Sequence, residues 1–137
     1  MKSLNVGIIG FGTVGSGVVE LLIKKKAYFK KLCETEFKIL KVCDRTFKGK
    51  QKFGLPPKTF ITDYHKILND PNIDVVIELI GGKQPAHQIV TEALTRGKHV
   101  VTANKDLIAN YGKDLFALAK SKQKHHTGLE RILECLS

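Results

Sequence analysis

From Leu4 to Ile23 the sequence reads LNVGIIGFGTVGSGVVELLI. Val6, Ile8 and Ile9 are apolar and β-branched, the composition of a buried strand. Gly10, Gly12 and Gly15 then satisfy G-x-G-x-x-G spacing, and Val18 to Ile23 resume as a helix. In a dinucleotide site each glycine has its own task. The first permits the tight turn, the second lets the backbone approach a pyrophosphate, and the third lets helix and strand pack closely. The pyrophosphate would lie on the unpaired amides of the helix N-terminus, where the macrodipole favours an anion. Glycines also mark ordinary strand-to-helix turns. Here a strand precedes them and a helix follows, and that context selects the dinucleotide reading.

The length suits one domain: 137 residues with 42% apolar content build a single core. No apolar run approaches the ~18 residues of a membrane span. Met1-Lys2-Ser3 leads into the first strand without the layout of a signal peptide. Cys33, Cys43 and Cys135 are odd in number and lack C-x-x-C spacing, which points to reduced thiols in the cytoplasm. His125 and His126 stand without further ligands and read as linker, so no metal is expected. The net charge of +10 comes from 23 basic residues, all but three of them lysine. Nucleic-acid readers deploy arginine forks and stacking aromatics, and this chain has no Trp. Solvated lysine faces with some attraction for phosphate ligands are expected, with neither a nucleic-acid nor a membrane partner.

Period and punctuation make the rest of the chain alternate strand and helix, the signature of a parallel sheet. A first helix is expected from about Thr13 towards Leu32. Val14, Val18, Leu21 and Leu22 would face the sheet, with lysines 24–26 at the negative end. Phe37 to Cys43 reads as the second strand, with Asp44 and Arg45 at its carboxyl end. There a carboxylate would bind adenosine ribose hydroxyls, and an arginine a 2′-phosphate. With both present the choice between NAD and NADP stays open, and Lys48 and Lys50 tilt it slightly towards phosphate. A polar strand end that caps a turn is the plainer alternative.

A loop rich in Lys, Gly and Pro comes next, then a short strand near Thr59 to Ile61. A helix of about Tyr64 to Asn69 follows, capped by Thr62 or Asp63, and the Asp70-Pro71-Asn72 turn. Ile73 to Ile80 reads as a strongly buried strand ended by Gly81-Gly82. Glu78 within it needs a backbone or helix-terminal partner. Pro85 opens a helix over Ala86 to Thr95 and Gly97 closes it. Lys98 to Thr102 is the last strand, and Asp114 to Lys120 a further helix. Thr102-Ala103-Asn104-Lys105 stands at the carboxyl edge, where open α/β sheets bind ligands.

Three separated stretches resemble the N-terminal NAD(P)-binding domain of homoserine dehydrogenase. They are residues 6–19, DPNIDVVIELIGG over residues 70–82, and GKHVVTANK over residues 97–105. The last two are far more specific than the glycine pattern, and the match covers about residues 4–120. The resemblance implies a Rossmann-type, doubly wound α/β domain with a mostly parallel sheet of order 3-2-1-4-5 and helices on both faces. It also implies the family's reaction, the NAD(P)-dependent interconversion of L-homoserine and L-aspartate 4-semialdehyde on the way to threonine and methionine. Phe11, Thr13 and Val14 would cover the pyrophosphate and nicotinamide side, and Asp44 or Arg45 would meet the adenosine ribose. Gly81 would border the cofactor, Thr102 would lie beside the nicotinamide, and Lys105 would reach the reacting centre. A lysine in a positively lined cleft stabilises developing alkoxide charge or relays a proton, which makes Lys105 the candidate catalytic residue. A solvated lysine at a helix N-terminus is the plainer alternative.

After about Lys122 the sequence departs from the family. Residues 1–122 are expected to form the cofactor domain, and 123–137 a divergent tail. In that tail Thr127 to Glu130 fit a capping box, and Leu129, Ile132, Leu133 and Leu136 follow helical spacing. A short amphipathic helix and an out-of-frame ending both produce this pattern. The family's substrate and dimerisation domain has no counterpart in these residues. The expectation is therefore a homoserine dehydrogenase cofactor domain with little or no turnover alone, and a sheet edge that invites a homodimer. A non-catalytic NAD(P)-binding module or sensor is the competing reading.

Overall fold

The computed structural model describes residues 2–80 and 85–122. Its strands are β1 (Lys2–Ile9), β2 (Thr35–Cys43), β3 (Phe60–Ile61), β4 (Val75–Glu78) and β5 (His99–Thr102). Its α-helices are α1 (Thr13–Lys24), α2 (Lys26–Cys33), α3 (His65–Leu68), α4 (Ala86–Thr95) and α5 (Lys105–Lys122). Every strand pair is parallel and the order is β3-β2-β1-β4-β5, as the sequence leads one to expect. Gly81 and the tail from residue 123, with its amphipathic pattern, His125, His126 and Cys135, lie outside the described residues.

Alternation along the strands sorts the core into two layers. On one face Val6, Ile8, Val42, Val75 and Ile77 pack with Val19 and Leu22 of α1 and Phe29 of α2. On the other, Ile9, Cys43 and Val76 pack with Ile67 and Leu68 of α3 and Ile89 and Ala93 of α4. A third cluster joins α4 to α5 through Ala86, Val90, Leu94, Leu107 and Leu115. Each buried Val, Leu, Ile or Phe among them stabilises the fold by ~1.5–3 kcal/mol.

The first helix differs from expectation in two ways. It is broken at Lys25 (φ −102°, ψ 18°), so that α1 and α2 are separate and α2 brings Phe29 and Cys33 into the core beside Phe37. Its buried stripe is also rotated: Gly15, Val19 and Leu22 are covered, whereas Val14 is 59% exposed and Leu21 37%. The stripe passes through Gly15 because that residue, not Val14, touches the turn below. The last helix begins at Lys105, well before Asp114, because Asn104 caps it: the Leu107 N–H donates to Asn104 Oδ1 at 3.0 Å. Cys43 is a free, buried thiol, and Cys33 is buried at the end of α2.

A methyl group on Gly15 would stand 2.0 Å from the Gly10 carbonyl oxygen, a backbone atom that cannot step aside. Gly15→Ala is therefore expected to cost ~2 kcal/mol or more in denaturant unfolding. Gly17→Ala, with nothing within 4 Å of the added carbon, should leave the midpoint unchanged or raise it. Equal midpoints for the two variants would contradict the close packing. Burial, with Asp44 and Asp63 nearby, pushes the Cys43 thiol up to about 11. Because the thiolate is the reactive form, alkylation of folded protein at Cys43 should be slow at pH 8 and quicken as the pH climbs towards 11. Mass spectrometry showing rapid native modification at pH 8 would refute this.

Candidate dinucleotide site

The carboxyl ends of the parallel strands share one edge of the sheet. Between β1 and β4 the strand order reverses, which opens the crevice where doubly wound sheets bind ligands. The turn Gly10-Phe11-Gly12 crosses this edge into α1. Gly10 sits at φ +116°, a backbone state open to glycine, and donates its N–H to the Cys43 carbonyl at 2.8 Å. Gly12 is exposed and a Cβ there would meet nothing within 4 Å, so its backbone is approachable. No side chain caps α1 and no acidic residue occupies its first turn. Its leading amides and positive dipole end are left for an anion. Thr13 and Val14 stand exposed on that turn.

Asp44 secures the turn from β2. Its Oδ2 accepts the Phe11 N–H at 2.6 Å, and its Oδ1 accepts the Arg45 N–H at 2.6 Å. The carboxylate that the sequence offers to a ribose thus already engages the loop's own amides. The Phe11 ring is buried against Phe47, Phe53 and Phe60, with centroids 5.8, 5.8 and 5.7 Å away. Lys50 Nζ lies 5.8 Å from the Phe47 centroid and 5.5 Å from that of Phe60. Four phenyl rings therefore pin the loop after β2 onto the glycine turn. Sequence reasoning missed this cluster because the four residues share no period; only the run of phenylalanines flanking the lysine-rich loop hinted at it. Arg45 and Lys48 are exposed in that loop.

Across the crevice, Glu78 ends β4 with no exposed surface. Its Oε2 accepts the Thr102 hydroxyl at 2.6 Å, and its Oε1 accepts the Ile80 N–H at 3.1 Å. Thr102 Oγ1 accepts the Asn104 N–H at 3.1 Å. The expected backbone partner of Glu78 is present, and a threonine hydroxyl joins it. Asn104 is thereby explained as the cap of α5, and Lys105 is the first residue of that helix, exposed to solvent. The fold brings the glycine turn, Asp44 and Arg45 to one side of the crevice and Thr102 and Lys105 to the other. Among the described residues no group of three or more His, Cys, Asp or Glu is arranged to hold a metal. No described helix is long and apolar enough to cross a membrane.

Residues 10–127 match the family model described as the NAD binding domain of homoserine dehydrogenase. The homoserine dehydrogenase of Bacillus subtilis is 42% identical over 120 residues, which is 88% of this chain and 28% of that protein. A crystal structure of the Thiobacillus denitrificans homoserine dehydrogenase superposes with a TM-score of 0.80 at 37% identity, covering 89% of this chain and 28% of that one. A hyperthermophilic archaeal homoserine dehydrogenase in complex with NADPH gives a TM-score of 0.70 at 26% identity, covering 88% and 41%. The chain thus spans under a third of the curated relatives it matches. With the fold, the glycine turn and the matched residues in agreement, the chain belongs to the NAD-binding domain family of homoserine dehydrogenase.

Proposed function

We propose that residues 1–122 form the cofactor domain of a homoserine dehydrogenase, binding NAD or NADP along the crevice, and that residues 123–137 are a separate tail. The uncapped N-terminus of α1 over the exposed Gly12 carries this reading, because it offers amides and a positive dipole to a pyrophosphate. Gly10, Gly12 and Gly15 shape the turn, Thr13 and Val14 flank the phosphates, and Phe11 contributes through its backbone while its ring is buried. Asp44 and Arg45 face the adenosine side; Gly81 and Thr102 border the nicotinamide side. When bound, the nicotinamide supplies the hydride that interconverts L-homoserine and L-aspartate 4-semialdehyde. Lys105 is the residue assigned to the reacting oxygen, where its ammonium opposes developing alkoxide charge or passes on a proton.

The engagement of both Asp44 oxygens by amides, with Arg45 and Lys48 exposed beside it, favours a cofactor carrying a 2′-phosphate. The setting proposed is cytoplasmic. The outer edge of β5, which has no further strand neighbour among the described residues, is the place where a homodimer contact or another strand would pair. A non-catalytic NAD(P)-binding module is the second reading. The exposed Lys105 at the ligand edge opposes it.

Titration with NADPH and NADH, followed by nicotinamide fluorescence, tests the cofactor reading. Saturable binding of both is expected, tighter for NADPH. Arg45→Ala should weaken NADPH by about tenfold, the ~1.4 kcal/mol of a charge-assisted bond, and leave NADH nearly unchanged. Failure of the unmodified chain to bind either cofactor would overturn the proposal. Equal weakening of both would remove Arg45 from the 2′-phosphate.

A further inference from the structure

We infer that Glu78 is a positioning residue for the nicotinamide half of the crevice, acting through Thr102 and the cap of α5. This rests on the cofactor reading above. Glu78 is paired laterally with Ile9 of β1 and Thr102 of β5, so its carboxylate sits at the carboxyl edge of the strand next to the switch point. It has no exposed surface, and burying a carboxylate is costly unless its bonds are satisfied. Both oxygens act as acceptors, one from the Ile80 amide and one from the Thr102 hydroxyl.

The direction of this chain of bonds is determined. Thr102 Oγ1 accepts the Asn104 N–H, so its one proton is the one aimed at Glu78 Oε2. Asn104 Oδ1 then accepts the Leu107 N–H and starts α5 directly before Lys105. One buried group therefore sets the Thr102 rotamer, the first turn of α5 and the start of the segment after β4. Pyrophosphate at α1 and adenosine at β2 leave the β4–β5 side for the nicotinamide, so these elements wall that half alone. A polar chain rooted in a fully buried carboxylate at the ligand edge, where an apolar pair would serve packing as well, is the arrangement that orients site residues.

The test separates the two halves of the cofactor. NADPH and 2′-phospho-ADP-ribose, which lacks the nicotinamide, are titrated against the unmodified chain and Glu78→Gln. The glutamine places an NH2 where one accepting oxygen stood, so either Ile80 N–H or Thr102 O–H loses its acceptor. The expected result is about tenfold weaker NADPH binding with 2′-phospho-ADP-ribose affinity changed by less than about twofold. Equal loss for both ligands, or no loss for either, overturns the inference. Should Glu78→Gln fail to fold, Thr102→Val and Thr102→Ser carry the same comparison. The valine removes the donor to Glu78 and should show the selective loss, and the serine, which keeps that donor, should recover most of it; a serine as weak as the valine overturns the role of Glu78. Unmodified chain that binds neither ligand defeats the cofactor reading itself. Binding with unselective loss in the variants defeats only the role of Glu78.

Discussion

Helix α1 rests directly on the turn that launches it, with no side chain between them. The space at Gly15 ends at the Gly10 carbonyl oxygen, 2.0 Å from where a Cβ would be, and Gly10 itself abuts the Leu79 backbone of the segment after β4. Three backbone segments therefore meet where a single methyl group would separate them. This contact decides which stripe of α1 is buried, since once Gly15 faces down, Val19 and Leu22 follow it into the core. Val14 is left pointing outward as a consequence. The same contact fastens the amide end of α1 to the strand ends, so one steric constraint serves both the packing of the sheet and the anion site above it.

The second fastening is chemical. Asp44 reaches back from β2 to the Phe11 amide, and the Phe11 ring enters a cluster with Phe47, Phe53 and Phe60. The turn is thus gripped on its backbone by a carboxylate and on its side chain by aromatic packing, leaving Gly12 and the start of α1 uncovered. Surface ion pairs add little to this. Lys24–Glu20 and Arg96–Glu92 are solvent-facing helix pairs at i,i+4 spacing, where water and salt screen the attraction. The abundant lysines shape the field around the molecule more than they hold it together.

Much of this was legible in the sequence where a local rule has few solutions. Central strands covered on both faces must be continuous apolar runs, which is why β1 and β4 stand out, whereas the sheet order was implied only by the family resemblance. Helix α4 is bracketed by Pro85 and by Gly97, which adopts φ +78°. The break at Lys25 was not legible, because it uses neither Gly nor Pro and sits inside a run of three lysines. The early start of α5 was hidden because Asn104, inside a motif that suggests a ligand site, is also the helix cap. The aromatic grip on Phe11 and the engagement of Asp44 are pairings between residues far apart in the chain. No periodicity announces such pairings, and only the folded arrangement reveals that Asp44 meets an amide before it meets any ligand.

The electrostatics of the ligand edge argue that the site is held at some cost to the free protein. Helices α1 and α5 each begin where a parallel strand ends, so their positive poles approach the same edge. α1 has no acidic residue in its first turn, and α5 opens with a lysine. A cation at a helix N-terminus is unfavourable by ~0.3–1 kcal/mol, and only Asp106 in the first turn of α5 counters it. Local helix stability would be better served by an acidic residue at Lys105 and a capping side chain at Gly12. A polyanion on the α1 amides would relieve the conflict at the start of α1, so its binding should stabilise the folded chain. The uncapped start of α1 is thus poorly explained by folding and well explained by a phosphate-bearing ligand, which is the pattern expected where function has overruled local preference.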